Sequence, residues 1–147
     1  MVLLLGEEKI SEKEAALFNP LQLAYLGDAV WESLVRQTLA FRHLNVNHMH
    51  SECVRHVNAK AQAGFLNQLR TKLNETELYI VQRGRNAHAR HPAPRNQSPA
   101  DYAEATGFEA LIGYLYLTDQ DERLRHIVRT VLEKEAEATG NNTGSSR

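Results

Sequence analysis

Cysteine is nearly absent: Cys53 stands alone in 147 residues, which excludes an intrachain disulfide framework and fits a reducing compartment. Charge of one sign is not in excess either. Seventeen Lys and Arg against eighteen Asp and Glu rule out a uniformly basic binder of polyanions, though not a local basic patch. Long hydrophobic runs are missing. The apolar stretch Val2 to Leu5 is four residues long and has acids close behind it, so it reads as neither a signal peptide nor a membrane span. Strand alternation bounded by turns is missing as well, and so are GxSxG, P-loop, GxGxxG and HExxH motifs. The seven histidines include spacings that could suggest zinc, but His48 and His50, two apart, point to different faces of a helix, and with one Cys and no HExxH motif a zinc site is not expected. What remains is an all-α domain expected in the cytoplasm, with 42% apolar residues to build one core.

The stretch Asn19 to Arg36, NPLQLAYLGDAVWESLVR, organises the rest. Asn19 suits a helix cap, and Pro20 suits the first helical position, where its missing N–H costs nothing. Leu21, Leu23, Ala24, Tyr25, Leu26, Ala29, Val30, Trp31, Leu34 and Val35 cover most of the circumference, so the helix is expected to be buried on several sides. One acid, Asp28, lies in that surface, directly after Gly27. A buried carboxylate is costly unless paired, hydrogen-bonded or metal-bound, and glycine weakens a helix while admitting a close neighbour. A hydrogen-bonded structural Asp explains the pattern as well as a functional one does. The pattern then recurs: Phe108 to Leu117, FEALIGYLYL, carries one acid, Glu109, and Gly113 four residues on. Two buried helices with one carboxylate each can place their oxygens around a hard cation such as Mg²⁺.

Between these helices, residues 48–73 read as helix, with Asn58 a candidate cap and Gly64 a candidate bend. Asn74 and Glu77 have capping spacing for a further helix. Residues 83–100, RGRNAHARHPAPRNQSPA, hold three of the four prolines, four arginines and no acid, and read as a long loop for a polyanion or as a solubilising one. Residues 1–18 read as an arm in which Ser11 and Glu14 have capping-box spacing; residues 19–138 read as the globule, its last helix starting near Asp121. Residues 139–147, TGNNTGSSR, read as a disordered tail.

LGDAV at 26–30, followed by FEALIGYLYL, resembles the two signature helices of the ribonuclease III catalytic domain. With NPLQLAYLGDAVWE, VNAKAQA at 57–63 and RGRNA at 83–87, the set resembles the Mini-ribonuclease III branch, which lacks a double-stranded-RNA-binding domain. The resemblance implies a helical bundle that dimerises and holds double-stranded RNA in the valley between its copies. It also implies Mg²⁺-dependent phosphodiester hydrolysis and maturation of the 23S ribosomal RNA precursor, with a large-subunit ribosomal protein as a candidate partner. Asp28 and Glu109 match the family's metal-site acids, and Tyr25 matches an aromatic that crosses the dimer interface. Leu21, Ala24 and Thr106 stand where full-length ribonuclease III has further acids, as the shorter branch shows; a third acidic position falls near Val46 to His48, none of them acidic. The number of metal ions is therefore left open.

The reading is a Mg²⁺-dependent endoribonuclease with Asp28 and Glu109 as catalytic metal ligands. Arg83, Arg85, Asn86, Arg90 and Arg95 are the expected RNA grip, and Tyr25 and Trp31 the expected dimer anchors. A non-catalytic RNA-binding protein on the same fold and a helical protein-interaction module are the alternatives.

Overall fold

Side-chain caps start most of the helices. The computed structural model describes residues 10–87 and 93–142, with side chains as far as Glu133, and contains seven α-helices and no strand among the described residues. Ser11 and Glu14 exchange both bonds of a capping box, at 3.1 Å each, and begin α1 (Glu12–Ala16). Asn19 Oδ1 accepts the Leu21 N–H at 2.9 Å, and Pro20 opens α2 (Pro20–Phe41). Asn45 and Asn58 accept from His48 and Ala61, starting α3 (Val46–Val57) and α4 (Ala59–Leu69). Asn74 and Glu77 make a second capping box at α5 (Glu75–Asn86). Ser98 caps α6 (Pro99–Leu117), and α7 spans Asp121–Asn142.

Several boundaries differ from the sequence reading, each for a local reason. The 48–73 helix divides at Asn58, whose extended backbone caps α4, and not at Gly64. Asn45 caps α3, so that helix begins two residues before His48. The arginine-rich segment is not loop from its start: α5 continues through Asn86, because Val81 and Gly84 bury against α6. The amino-terminal arm is partly anchored: Ile10 N–H donates to Leu117 O at 3.2 Å and Ala15 is fully buried. At the other end α7 passes the expected tail boundary at Thr139 and runs to Asn142; residues 143–147 lie outside the described residues.

Helix α6 is the centre. Its residues 105–108 and 110–115 are all buried, and α2, α4 and α5 pack around it. Two glycine pairs permit this. A Cβ on Gly27 of α2 would fall 1.7 Å from Glu109 O, and one on Gly113 of α6 would fall 2.1 Å from Leu23 O. A Cβ on Gly84 of α5 would meet Gly107 Cα at 2.8 Å, and one on Gly107 would meet Val81 O at 2.9 Å. The α6 backbone thus touches two other helix backbones directly. Trp31, fully buried, stands edge-on to Phe108 at 4.9 Å and tilted to Phe65 at 5.5 Å. Its Nε1–H donates to His56 O at 2.9 Å. This ties α2 to α3, α4 and α6.

One acid is buried for structure alone. Glu77 is 1% exposed; Arg123 of α7 donates to it from Nε at 2.9 Å and from Nη2 at 2.8 Å, and the Asn74 N–H adds a third bond. Burial pushes this carboxyl up, but Arg123 and the Asn74 bond outweigh it and hold the group below its ordinary value.

Glycine at 27 and glycine at 64 are expected to respond oppositely to alanine. Gly27→Ala forces α2 off α6 and should cost about 3 kcal/mol or more. Gly64, whose added Cβ meets nothing within 4 Å, should gain close to the ~1 kcal/mol helix advantage of alanine. Thermal melts of the two variants check this; parental melting of Gly27→Ala would show that the two backbones are not in contact.

Candidate active site

Asp28 and Glu109 come together because of the glycine crossing. Gly27 sits against the Glu109 carbonyl, and Asp28 is the next residue along α2. The two acids differ in setting. Glu109 is half-buried, and its carboxyl is pushed up to about 8, first by burial and second by the charge of Asp28. Asp28 is exposed, contrary to the expectation of a buried acid, because the face of α2 that turns inward carries Leu23, Ala24, Gly27, Val30, Trp31 and Val35. Its carboxyl is nonetheless raised, by partial desolvation and then by Glu32.

The contrast with Glu77 is informative. Glu77 has a bidentate arginine and a backbone N–H. Among the described residues no hydrogen-bond donor or cation reaches Glu109, and its nearest titratable influence is another acid. A raised, unpaired carboxylate beside a second one is the arrangement a cation relieves. The donors are hard oxygens, which fit Mg²⁺ supplemented by water and phosphate. Among the described residues no cluster of three or more His, Cys, Asp or Glu is set to hold a metal.

Glu32 escaped the sequence reading. It lies one turn after Asp28 on α2 and raises that acid's pKa, and Arg36 Nη2 holds its Oε1 at 2.9 Å. The signal was its i+4 spacing from Asp28.

The expected RNA-binding residues are placed differently from one another. Arg83 is half-buried, and its Nη1 donates to Ala16 O and, at 3.0 Å, to Phe18 O, while its guanidinium lies 5.9 Å from the Tyr79 ring centre. It ties α5 to the segment that enters α2. Arg85 lies with its Nε 2.5 Å from Glu104 Oε1, in contact but out of line for a hydrogen bond, and Arg70 pairs with the same carboxylate. Asn86 Oδ1 accepts from Gln82 Nε2 at 2.9 Å. Arg95 is exposed on the loop before α6, and Arg90 lies outside the described residues.

The two expected dimer anchors also separate. Tyr25 is 86% exposed. Trp31 has no surface left for a partner: it faces Phe65 and Phe108 inside its own chain, which corrects its assignment as an interface residue.

The Ribonuclease III domain family model matches residues 21–120. Mini-ribonuclease 3 of Symbiobacterium thermophilum is 49% identical over 115 residues, 78% of this chain and 88% of that protein. Mini-ribonuclease 3 of Clostridium tetani is 40% identical over 146 residues, 96% of this chain and 95% of that protein. A crystal structure of a protein from Fusobacterium nucleatum superposes with a TM-score of 0.74 at 31% identity, covering 81% of this chain and 95% of that one.

The raised Glu109 carboxyl makes stability depend on pH in a defined direction. Its proton is held more tightly folded, at about 8, than unfolded, at 4.5. The contribution is therefore complete below 4.5 and is lost as pH rises through about 8. Without divalent cations, the melting temperature should fall across that window, and Glu109→Gln should flatten the fall. A Gln variant with the parental pH profile would show that Glu109 titrates normally.

Proposed function

The chain belongs to the ribonuclease III domain family and is an endoribonuclease, and from that premise we propose that it cleaves double-stranded RNA with Mg²⁺ held by Asp28 and Glu109. The carrying observation is the Asp28–Glu109 acid pair at the α2–α6 crossing, in which no donor or cation among the described residues reaches Glu109. A bound divalent ion supplies an activated water and offsets charge on the phosphate oxygens. The chain's own contribution is placement. Gly27 and Gly113 bring Asp28 and Glu109 onto one surface. Burial keeps Glu109 poorly solvated until a cation arrives. Arg36 keeps Glu32 beside the pair, where it adds negative charge without crowding it.

RNA enters this reading through shape and phosphates, which is how an A-form duplex is recognised. The last turn of α5 and the loop before α6 supply the grip, with Arg85, Asn86, Arg90 and Arg95 as its contacts. Arg83 acts at one remove, by fixing α5 to the start of α2. Two copies pair through the exposed face around Tyr25, so that each acid pair cuts one strand. The 23S ribosomal RNA precursor is the proposed substrate, presented by a large-subunit ribosomal protein. That precursor offers duplex stems, and with one short basic segment as its grip the chain's own affinity is modest and salt-dependent. The work is done in the cytoplasm; no described helix is long and apolar enough to cross a membrane.

Asp28→Asn and Glu109→Gln are each expected to lower cleavage of a duplex RNA with Mg²⁺ by more than about a hundredfold. Both should keep the helical circular-dichroism spectrum, since they preserve side-chain shape. Near-parental turnover of either variant removes that residue from the site.

Tyr25→Ala should shift the chain from dimer to monomer in sedimentation at assay concentration and lower cleavage in parallel. A parental chain that is monomeric and fully active would exclude the paired arrangement.

A further inference from the structure

We infer that the cleft enclosed by the end of α2, the α3–α4 junction and α7 is a phosphate-binding site separate from the acid pair. Its volume is about 560 Å³, within the range of small-ligand sites. Three cations line it, Arg42 just past α2, Arg55 on α3 and Lys60 on α4, against one acid, Glu52. Arg55 Nη1 lies 3.3 Å from Glu52, so that acid is engaged. Among the described residues, Arg42 and Lys60 have no acid partner. Two cations with no acid partner among the described residues, both lining one concave space, favour an anion with several oxygens.

A second observation points to the same place. Gly27, Gly84, Gly107 and Gly113 are each required by a neighbour closer than 3.0 Å to their missing Cβ. Gly64 is not: it lies within α4, lines the cleft, and a Cβ there meets nothing within 4 Å. Glycine inside a helix costs about 1 kcal/mol relative to alanine, and among the described residues no packing offsets that cost here. A ligand lying against the α4 backbone offsets it. The VNAKAQA stretch, at 57–63, supplies Asn58, Lys60 and Ala61 to this wall, whereas the acid pair is carried by α2 and α6.

The apolar side of the cleft, Ala61, Phe65 and Leu132, suits a sugar or base beside the phosphate. The ligand class is therefore a nucleotide phosphate, carried by the RNA backbone or by a free nucleotide. The floor also provides a reporter. Phe65 and the backbone of His56 both contact Trp31, the single tryptophan.

The test titrates the full chain with AMP and with pyrophosphate in buffer free of divalent cations, following Trp31 fluorescence and the melting temperature. Saturable binding of either probe is expected. Arg42→Ala combined with Lys60→Ala, and separately Gly64→Leu as a plug, should weaken it about tenfold or more without lowering the melting temperature of the free chain. A parallel arm measures binding of a short RNA duplex. Loss of duplex affinity in both variants, whether or not AMP binds, assigns the phosphate to the RNA backbone. AMP binding with duplex affinity unchanged assigns it to a free nucleotide. Equal behaviour of parent and variants towards AMP, pyrophosphate and duplex overturns the inference. No arm involves cleavage, so failure here leaves the role of Asp28 and Glu109 untouched.

Discussion

The backbone contact between α2 and α6 is the constraint on which the rest depends. Two helices that cross with side chains between them stay 8–10 Å apart. Here Gly27 and Gly113 remove the side chains at the crossing, and each backbone rests on the other. Everything at the site is measured from that contact. Asp28 follows Gly27 by one residue, and Glu109 contributes the carbonyl on which Gly27 sits. The Gly84–Gly107 contact repeats the device on the α5 side. α6 is therefore held by backbone contact on two sides, and it has little freedom to carry Glu109 away from Asp28.

Three glutamates show how environment sorts one residue type into different work. Glu77 is more deeply buried than Glu109, yet it stays ionised because Arg123 and a backbone N–H surround it. Glu104 collects Arg70 and Arg85 and locks the end of α4 and the last turn of α5 onto α6. Among the described residues Glu109 has neither kind of partner, and it sits beside another acid. Only the third stores electrostatic cost that a divalent ion can release. The cost is supportable because the surrounding core, centred on Trp31, Phe65 and Phe108, is closely packed.

The basic residues are sorted by the same logic. Charge counting treats Arg83 and Arg95 alike. In the fold, Arg83 spends its guanidinium on two carbonyls more than sixty positions away in sequence, whereas Arg95 remains on the surface. Positive charge on this chain thus falls into structural ties, such as Arg83 and Arg123, and surface charge open to a polyanion. The acid pair and the α3–α4 cleft share no residue, so their roles are separable by substitution.

Much of this was legible in the sequence where the physics is local. Asn19–Pro20 and Asn74–Glu77 announce helix starts because a cap bonds within three residues of itself. The acid-plus-glycine pattern on two apolar helices marks Asp28 and Glu109, since a glycine in a helix has a cost that invites a reason. The tertiary structure alone decided what depends on distant neighbours. Periodicity shows that Trp31 is covered but not whether its own chain or a partner covers it; contact with Phe65 and Phe108 answers that. Composition shows an arginine at 83 but not the carbonyls of Ala16 and Phe18 that engage it. The two site acids look alike in sequence, and they diverge only because the inward face of α2 stops short of Asp28 while α6 is enclosed around Glu109. Desolvation is a sum over surrounding atoms, and most of those atoms come from elsewhere in the chain.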